Sequence, residues 1–418
     1  MRVGLDFGTT NSSLACWQSP ELTLTHFETA AGTTESFRSL LYFEKPPAGA
    51  RLRAWAGPEA IERYLEAENK GRLIQSLKSF LTSRNLRSTE VFGQQAQIED
   101  LIARIVRPMR EEAERQLGQS IKSVVAGRPV HFVGADTEAD NDYATERLRV
   151  AFTKAGFEEI EFELEPVAAA YHYEGTLNHE ELILVGDFGG GTSDFSLLRV
   201  GGVTTQLLGN EGVGLAGDAL DAKIVRHVVS PALGAGTSLR SFDKILPVPS
   251  WVYAKLERWH HLSMLRSRET MQMLETTRKQ ALEGERIEAL LHLINEDLGY
   301  RLHQSVQRAK VDLSQAEETV FRYADGIADI ETRITRREFE GWIAEELAAI
   351  SGCVDRLLAR SGVDPKAVDA VFLTGGTSFV PAVQRIFASR FGRERIRSGN
   401  EFTSVARGLA LRANRPEG

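Results

Sequence analysis

Two short apolar segments each deliver an acid into a glycine-threonine turn, and this repeat limits the possible folds more than any other feature of the chain. Val3-Gly4-Leu5 runs into Asp6-Phe7-Gly8-Thr9-Thr10-Asn11, and Leu182-Ile183-Leu184-Val185 runs into Asp187-Phe188-Gly189-Gly190-Gly191-Thr192, 181 positions after Asp6. A spacing that long implies two similar lobes, not a short-period solenoid. The length of 418 residues agrees, because single cores stop growing near roughly 250–300 residues.

Around each turn the pattern reads as strands. Residues 13–17, 21–25 and 38–43 follow the first turn, and 193–200 and 202–208 follow the second. Charged residues punctuate apolar ones at helical spacing over 57–81 and again over 99–117, where Leu101, Ile105 and Met109 share a face. Residues 124–134, 139–155 and 159–164 read as strand, helix and strand, with Gly156 closing the helix. Residues 251–314 are rich in long and charged side chains and predict helices. A last strand at 368–373 runs into Thr374-Gly375-Gly376-Thr377-Ser378, and Pro381 opens a helix where its missing N–H costs nothing. Layered α/β architecture follows.

The formal charge of -8 argues against a broad nucleic-acid-binding face. Cys16 and Cys353 have no metal-ligand spacing around them and predict ordinary buried thiols in a reducing compartment. The chain shows neither an apolar leader nor a membrane-length apolar run, so the expected location is cytoplasmic with no membrane partner.

Closely spaced glycines let several backbone N–H groups converge on phosphate oxygens. A carboxylate at the strand end beside such a turn suits a hydrated divalent ion. Asp6 and Asp187 therefore read as two acids bracketing one metal-bound polyphosphate, with Gly375-Gly376 as a third turn. No G-x-x-x-x-G-K-[S/T] run accompanies these turns, and Gly212, Gly214 and Gly217 only superficially match a dinucleotide fingerprint.

In this order and spacing the turns, with Glu165-Pro166-Val167-Ala168-Ala169-Ala170 and Asp187 to Asp194, closely resemble the nucleotide-binding domain of the Hsp70 chaperone family, within the actin, sugar-kinase and Hsp70 superfamily. The length and the enlarged middle segment look most like its short YegD-type branch, without the peptide-binding domain. The resemblance implies a two-lobed, actin-like α/β fold with a duplicated ribonuclease H-like core. Lobe I would be residues 1–185 completed by 395–418, and lobe II residues 186–394, with an enlarged helical subdomain around 231–318. Cofactors would be ATP or ADP with Mg²⁺, and K⁺ as a further ion.

Carried over residue by residue, the resemblance makes Asp6 and Asp187 the holders of Mg²⁺, through water. Gly8, Thr9, Thr10, Asn11, Gly189, Gly190, Gly191 and Thr192 would hold phosphates, and Lys78 would reach the terminal one. Glu165 and Asp194 would position the attacking water, with Asp187 and Thr192 in the same catalytic group. Gly217, Lys310, Val311, Ser314, Gly375, Gly376, Thr377 and Phe379 would surround the nucleoside. Val311 and Phe379 stand where typical members place two arginines, which exchanges two guanidinium planes for an aliphatic and an aromatic wall. The implied function is a Mg²⁺-dependent ATPase acting as a chaperone-related conformational switch, with protein clients or cochaperone-like regulators as partners. A nucleotide-binding scaffold with negligible hydrolysis and a small-molecule kinase are the alternatives. Trp251, Tyr253, Trp259, His260 and His261 form the densest aromatic cluster and read as the seal of the enlarged subdomain or as a partner surface.

Overall fold

The computed structural model describes the chain apart from residues 19–20, 31, 46–49, 67–70, 175–176, 203–204, 259–261, 263–264, 297, 398–403 and 415–418. Trp259, His260 and His261 lie outside the described residues. The chain forms two compact units, one of residues 1–216, 350–378 and 384–418, the other of residues 217–349 and 379–383.

In the first unit, Val3, Gly4, Leu5 and Phe7 of strand Arg2–Phe7 are all buried, so both faces of that strand need covering, as for an interior strand of a layered sheet. It pairs in parallel with Ser123–Arg128, Val3 opposite Val124, and antiparallel with Asn11–Gln18, Leu5 opposite Leu14. Glu159–Leu164 and Glu21–Leu24 extend the sheet on either side. A second sheet repeats the plan: Glu181–Phe188 pairs in parallel with Ala370–Thr374, which carries Ile396–Arg397, and antiparallel with Ser193–Val200, which carries Gln206–Val213. Asp6 and Asp187 are each the penultimate residue of the strand at the centre of their sheet. The duplication is thus one of strand order as well as of motif.

Helices Ile98–Leu117 and Glu138–Ala155 cover the first sheet, burying Leu101, Ile105 and Met109 in one core with Phe7, Phe152 and Phe157. Thr137 and Asp140 form a capping box at the second helix's start, and Gly156, at φ 105, ends it. Helix Ser404–Asn414 lies against the same sheet, seated so closely that a Cβ at Gly4 would collide with the Ala410 nitrogen and one at Gly408 with the Ala168 carbonyl.

Three expected elements differ. The single helical stretch over 57–81 is helix Gly57–Glu66, strand Gly71–Gln75 and the one-turn helix Leu77–Phe80. Pairing of Gly71–Gln75 with Leu40–Glu44, Ile74 opposite Leu41, overrides the local helical spacing. The strand expected over 124–134 stops at Arg128, where Pro129 removes the next N–H from the ladder. The strand expected over 202–208 is Gln206–Val213, set by its register against Ser193–Val200.

The second unit is mainly helical: Gly217–Ile224, continued by a π-turn over Val225–Val229, then Trp251–Leu256, Arg268–Gln280, Gly284–Asn295 and Gly299–Gln315. Two hairpins, Ser238–Ser241 with Lys244–Pro247 and Glu318–Ala324 with Asp329–Thr335, and helix Arg336–Trp342 also belong to it. Tyr253 is buried, its hydroxyl donating to the Leu233 carbonyl at 2.9 Å, while Trp251 is half exposed.

Candidate functional site

Strand order brings the acids of the second sheet together. Asp187 faces Asp194 across one strand pair and Thr374 across the other, and Thr374 Oγ1 donates to Asp187 Oδ1 at 2.7 Å. The turn between the two acids is closed by Gly189 N–H donating to the Thr192 carbonyl at 2.9 Å. Gly375 has φ 86, and a Cβ there would collide with the Phe188 carbonyl, so only glycine passes this point. Gly212 lies opposite Asp194, and a Cβ on it would stand 2.7 Å from Asp194 Oδ1.

Lys78 sits in the turn Leu77–Phe80, entered through Ser76 in the left-handed region at φ 58. Its Nζ donates to Glu165 Oε1 at 2.6 Å, and the two residues are 8% and 9% exposed. Glu165 opens helix Glu165–Glu174 directly after strand Glu159–Leu164. Removing both charges from water is tolerable only because they pair.

Burial pushes the Asp6 carboxyl up to about 8, with the Glu165 charge adding to the effect, Lys78 opposing it and Asp187 raising it further. Burial, then the Asp187 charge, pushes Asp194 up to about 7, against the Thr192 hydroxyl that hydrogen-bonds the charged form. Glu165 is raised by burial, with Lys78 opposing. Burial works to lower Lys78, but the charges of Glu165 and Asp6 outweigh it and hold the ammonium protonated. Asp6, Glu165, Asp187 and Asp194 thus crowd around Lys78, and the raised Asp6 and Asp194 show that ionising them together is costly, a cost that a divalent cation would offset. Among the described residues no three His, Cys, Asp or Glu side chains converge as direct metal ligands. The donor set fits an ion held through water.

Asp6, Lys78, Glu165, Asp187, Thr192 and Asp194 are therefore brought together within the first unit. In the first turn the Thr10 carbonyl accepts from Ser39 N–H at 2.9 Å and Asn11 Oδ1 accepts from Arg38 Nη1 at 3.2 Å. Thr377 is buried. Gly217, Lys310, Val311, Ser314 and Phe379 belong to the second unit. There Lys310 Nζ lies 2.7 Å from Asp221 Oδ1 and 3.4 Å from the Gly217 carbonyl, and Ser314 Oγ donates to the Lys310 carbonyl at 3.0 Å. Val311 and Phe379 are 52% and 46% exposed.

Sequence reasoning did not assign Thr374 or Gly212 to the site. The strand preceding Gly375-Gly376 was a signal for Thr374. Gly212 gave none, since its place beside Asp194 exists only once the hairpin forms. Cys16 and Cys353 are both buried free thiols.

The family model described as Hsp70 protein matches residues 70–235 and 290–418. Among curated relatives, the chaperone protein DnaK of Thermosipho melanesiensis is 26% identical over 98% of this chain, and that of Thermus thermophilus is likewise 26% identical over 98%. The chloroplastic heat shock 70 kDa protein 7 of Arabidopsis thaliana is also 26% identical over 98%. The chain spans 58%, 60% and 52% of the lengths of these three relatives. With more than half of its residues matched by the family model, the chain belongs to the Hsp70 family and has the actin-like fold of that family's nucleotide-binding domain.

Proposed function

We propose that the chain binds ATP with Mg²⁺ at the carboxylate cluster and hydrolyses it to ADP and phosphate, as a chaperone-related conformational switch. The observation that carries this reading is the buried Lys78–Glu165 pair set among Asp6, Asp187 and Asp194. Phosphoryl transfer to water needs alignment and charge stabilisation more than covalent chemistry. Lys78, kept protonated, supplies positive charge toward the terminal phosphate. Glu165 fixes the direction of that ammonium. Asp194, titrating near neutrality, orients the attacking water and accepts hydrogen bonding from it. Asp6 and Asp187 hold the water shell of Mg²⁺, whose chemistry when bound is to neutralise phosphate oxygen charge. Gly8 to Asn11, Gly189 to Thr192 and Gly375 to Thr377 cradle phosphates. The segment that the family model passes over, residues 236–289, supports placing the chain in the YegD-type branch.

Phosphate release from Mg²⁺-ATP tests this. Turnover above background that Glu165→Gln abolishes, with fluorescent-ATP binding retained, upholds it, whereas equal release by both proteins overturns it. Val311 and Phe379, standing where typical members of the family place arginines, prompt a second reading, a nucleotide-binding scaffold without turnover, for which saturable binding and no phosphate release in the native protein would speak.

A further inference from the structure

Arg147, on helix Glu138–Ala155, is 5% exposed. A guanidinium buried so deeply needs acceptors for several N–H groups at once, and its planar fork can serve more than one partner. Nη1 is shared among three main-chain carbonyls, those of Phe80 at 3.1 Å, Leu81 at 3.0 Å and Ser83 at 3.2 Å. Nε donates to the carboxylate of Glu99, in the first turn of helix Ile98–Leu117. Nη2 is buried with no hydrogen-bond partner among the described residues, a cost to stability, so the guanidinium sits where its other two nitrogens are used and not where all three are satisfied.

The three carbonyls lie at and just past the end of Leu77–Phe80, the one-turn helix that carries Lys78. Four residues do not hold a helical turn unaided, because nucleation fixes several dihedrals for one hydrogen bond. The last carbonyls of a helix also lack partners within it. The geometry of this turn is therefore set from outside. At its start Ser76 takes a left-handed φ of 58 with no side-chain cap, and at its end a single cation gathers the carbonyls. At an ordinary surface turn water serves such groups; here a buried charge does, and its desolvation is repaid only by close pairing.

Lys78 is thus fixed at both ends. Glu165 takes its ammonium at 2.6 Å, and Arg147 holds the backbone from which the side chain springs. Leu81, whose carbonyl Arg147 grips, is fully buried in the same core as Phe7 and Phe152, so a shift of the turn would have to move core side chains as well. We propose that Arg147 is a positioning residue of the site, holding turn Leu77–Phe80 so that Lys78 Nζ stays directed at Glu165 and at the terminal phosphate. The proposal rests on the reading that the carboxylate cluster hydrolyses ATP. Arg147 acts through Lys78, so its loss lowers the rate of the chemical step and leaves nucleotide affinity nearly unchanged; a displacement of about 1 Å can cost on the order of 100-fold in rate.

The test uses the full chain with Arg147→Lys, which keeps the charge but has one nitrogen and cannot serve the carbonyls and Glu99 together. Steady-state phosphate release should give a kcat about ten-fold or more below native, with KM within about two-fold. A second measurement needs no turnover. Lys78→Met, Glu165→Gln and the double variant, compared by urea unfolding, give the coupling of that pair as a ratio of unfolding constants. Repeated with Arg147→Lys in every protein, the coupling should fall about ten-fold or more. A residue needed only for folding would lower stability and leave the coupling as it was. Where Arg147→Lys does not fold, Glu99→Gln, which weakens the hold on Arg147 Nε, takes its place and should lower both kcat and the coupling about three-fold. An unchanged coupling overturns the proposal, as does a KM that rises while kcat stands. Native protein that releases no phosphate defeats the ATPase reading alone, and the coupling then decides by itself whether Arg147 holds Lys78 in place.

Discussion

Lys78 Nζ donates to Glu165 Oε1 at 2.6 Å, tying a one-turn helix to the first residue of a helix 87 positions further along. Removing one partner strands the other as an uncompensated buried charge. Lys78→Ala should therefore lower stability by about 3–5 kcal/mol, measured by urea unfolding. Adding Glu165→Gln to it should restore part of that loss while phosphate release stays at background.

Asp6 and Asp194 bind protons up to about 8 and about 7 in the folded chain, against an ordinary carboxyl value of 3.8. Between roughly pH 4 and 8 the folded state thus holds more protons than the unfolded one, and stability of the nucleotide-free protein falls as pH rises through that window. Asp6→Asn removes one of these groups. Its melting temperature should exceed the native protein's by a margin larger at pH 8 than at pH 5, on the order of 3 °C or more at pH 8. A margin that does not grow with pH contradicts the assignment.

Thr374 supplies the donor that Asp187 Oδ1 uses at 2.7 Å. Thr374→Val keeps the shape and removes that donor, so Mg²⁺-ATP affinity should fall about ten-fold, within the usual range for a hydrogen bond to a charged group. Thr374→Ser should retain native affinity. Equilibrium binding of a fluorescent ATP analogue distinguishes the two variants.

Gly212→Ala would bring a methyl group to 2.7 Å from Asp194 Oδ1 and force that carboxylate to turn. Phosphate release should fall about 10- to 100-fold, as for other small misplacements of catalytic groups, while nucleotide affinity changes less than about two-fold. Single-turnover kinetics beside equilibrium binding separates the effects.

The parts of this fold that were legible in the sequence are those set by short-range chemistry. Helix Ile98–Leu117 shows its buried face in its own spacing, and strand Glu159–Leu164 falls at its expected limits. The acid turns at Asp6 and Asp187 were visible because strand, acid and glycines are consecutive. Strand Gly71–Gln75 was not, because its reason for being a strand is Leu41 opposite Ile74, a pairing made across distant chain. The same holds for Thr374, whose partner is 187 positions away. The implied role of Lys78 rested on a short motif, and its burial and its bond to Glu165 appear only in the folded chain.

Helix Ser404–Asn414 covers strand Arg2–Phe7, with Gly4 fitted against Ala410. Strand Arg2–Phe7 therefore waits for helix Ser404–Asn414, far along the chain, to be made before its second face is shielded. At 5–20 residues per second that delay is roughly 20–80 s, long enough for the uncovered apolar strand to find other chains. A member of a chaperone family is thus itself a demanding nascent polypeptide, and keeping its growing chains dilute should raise the yield of native protein.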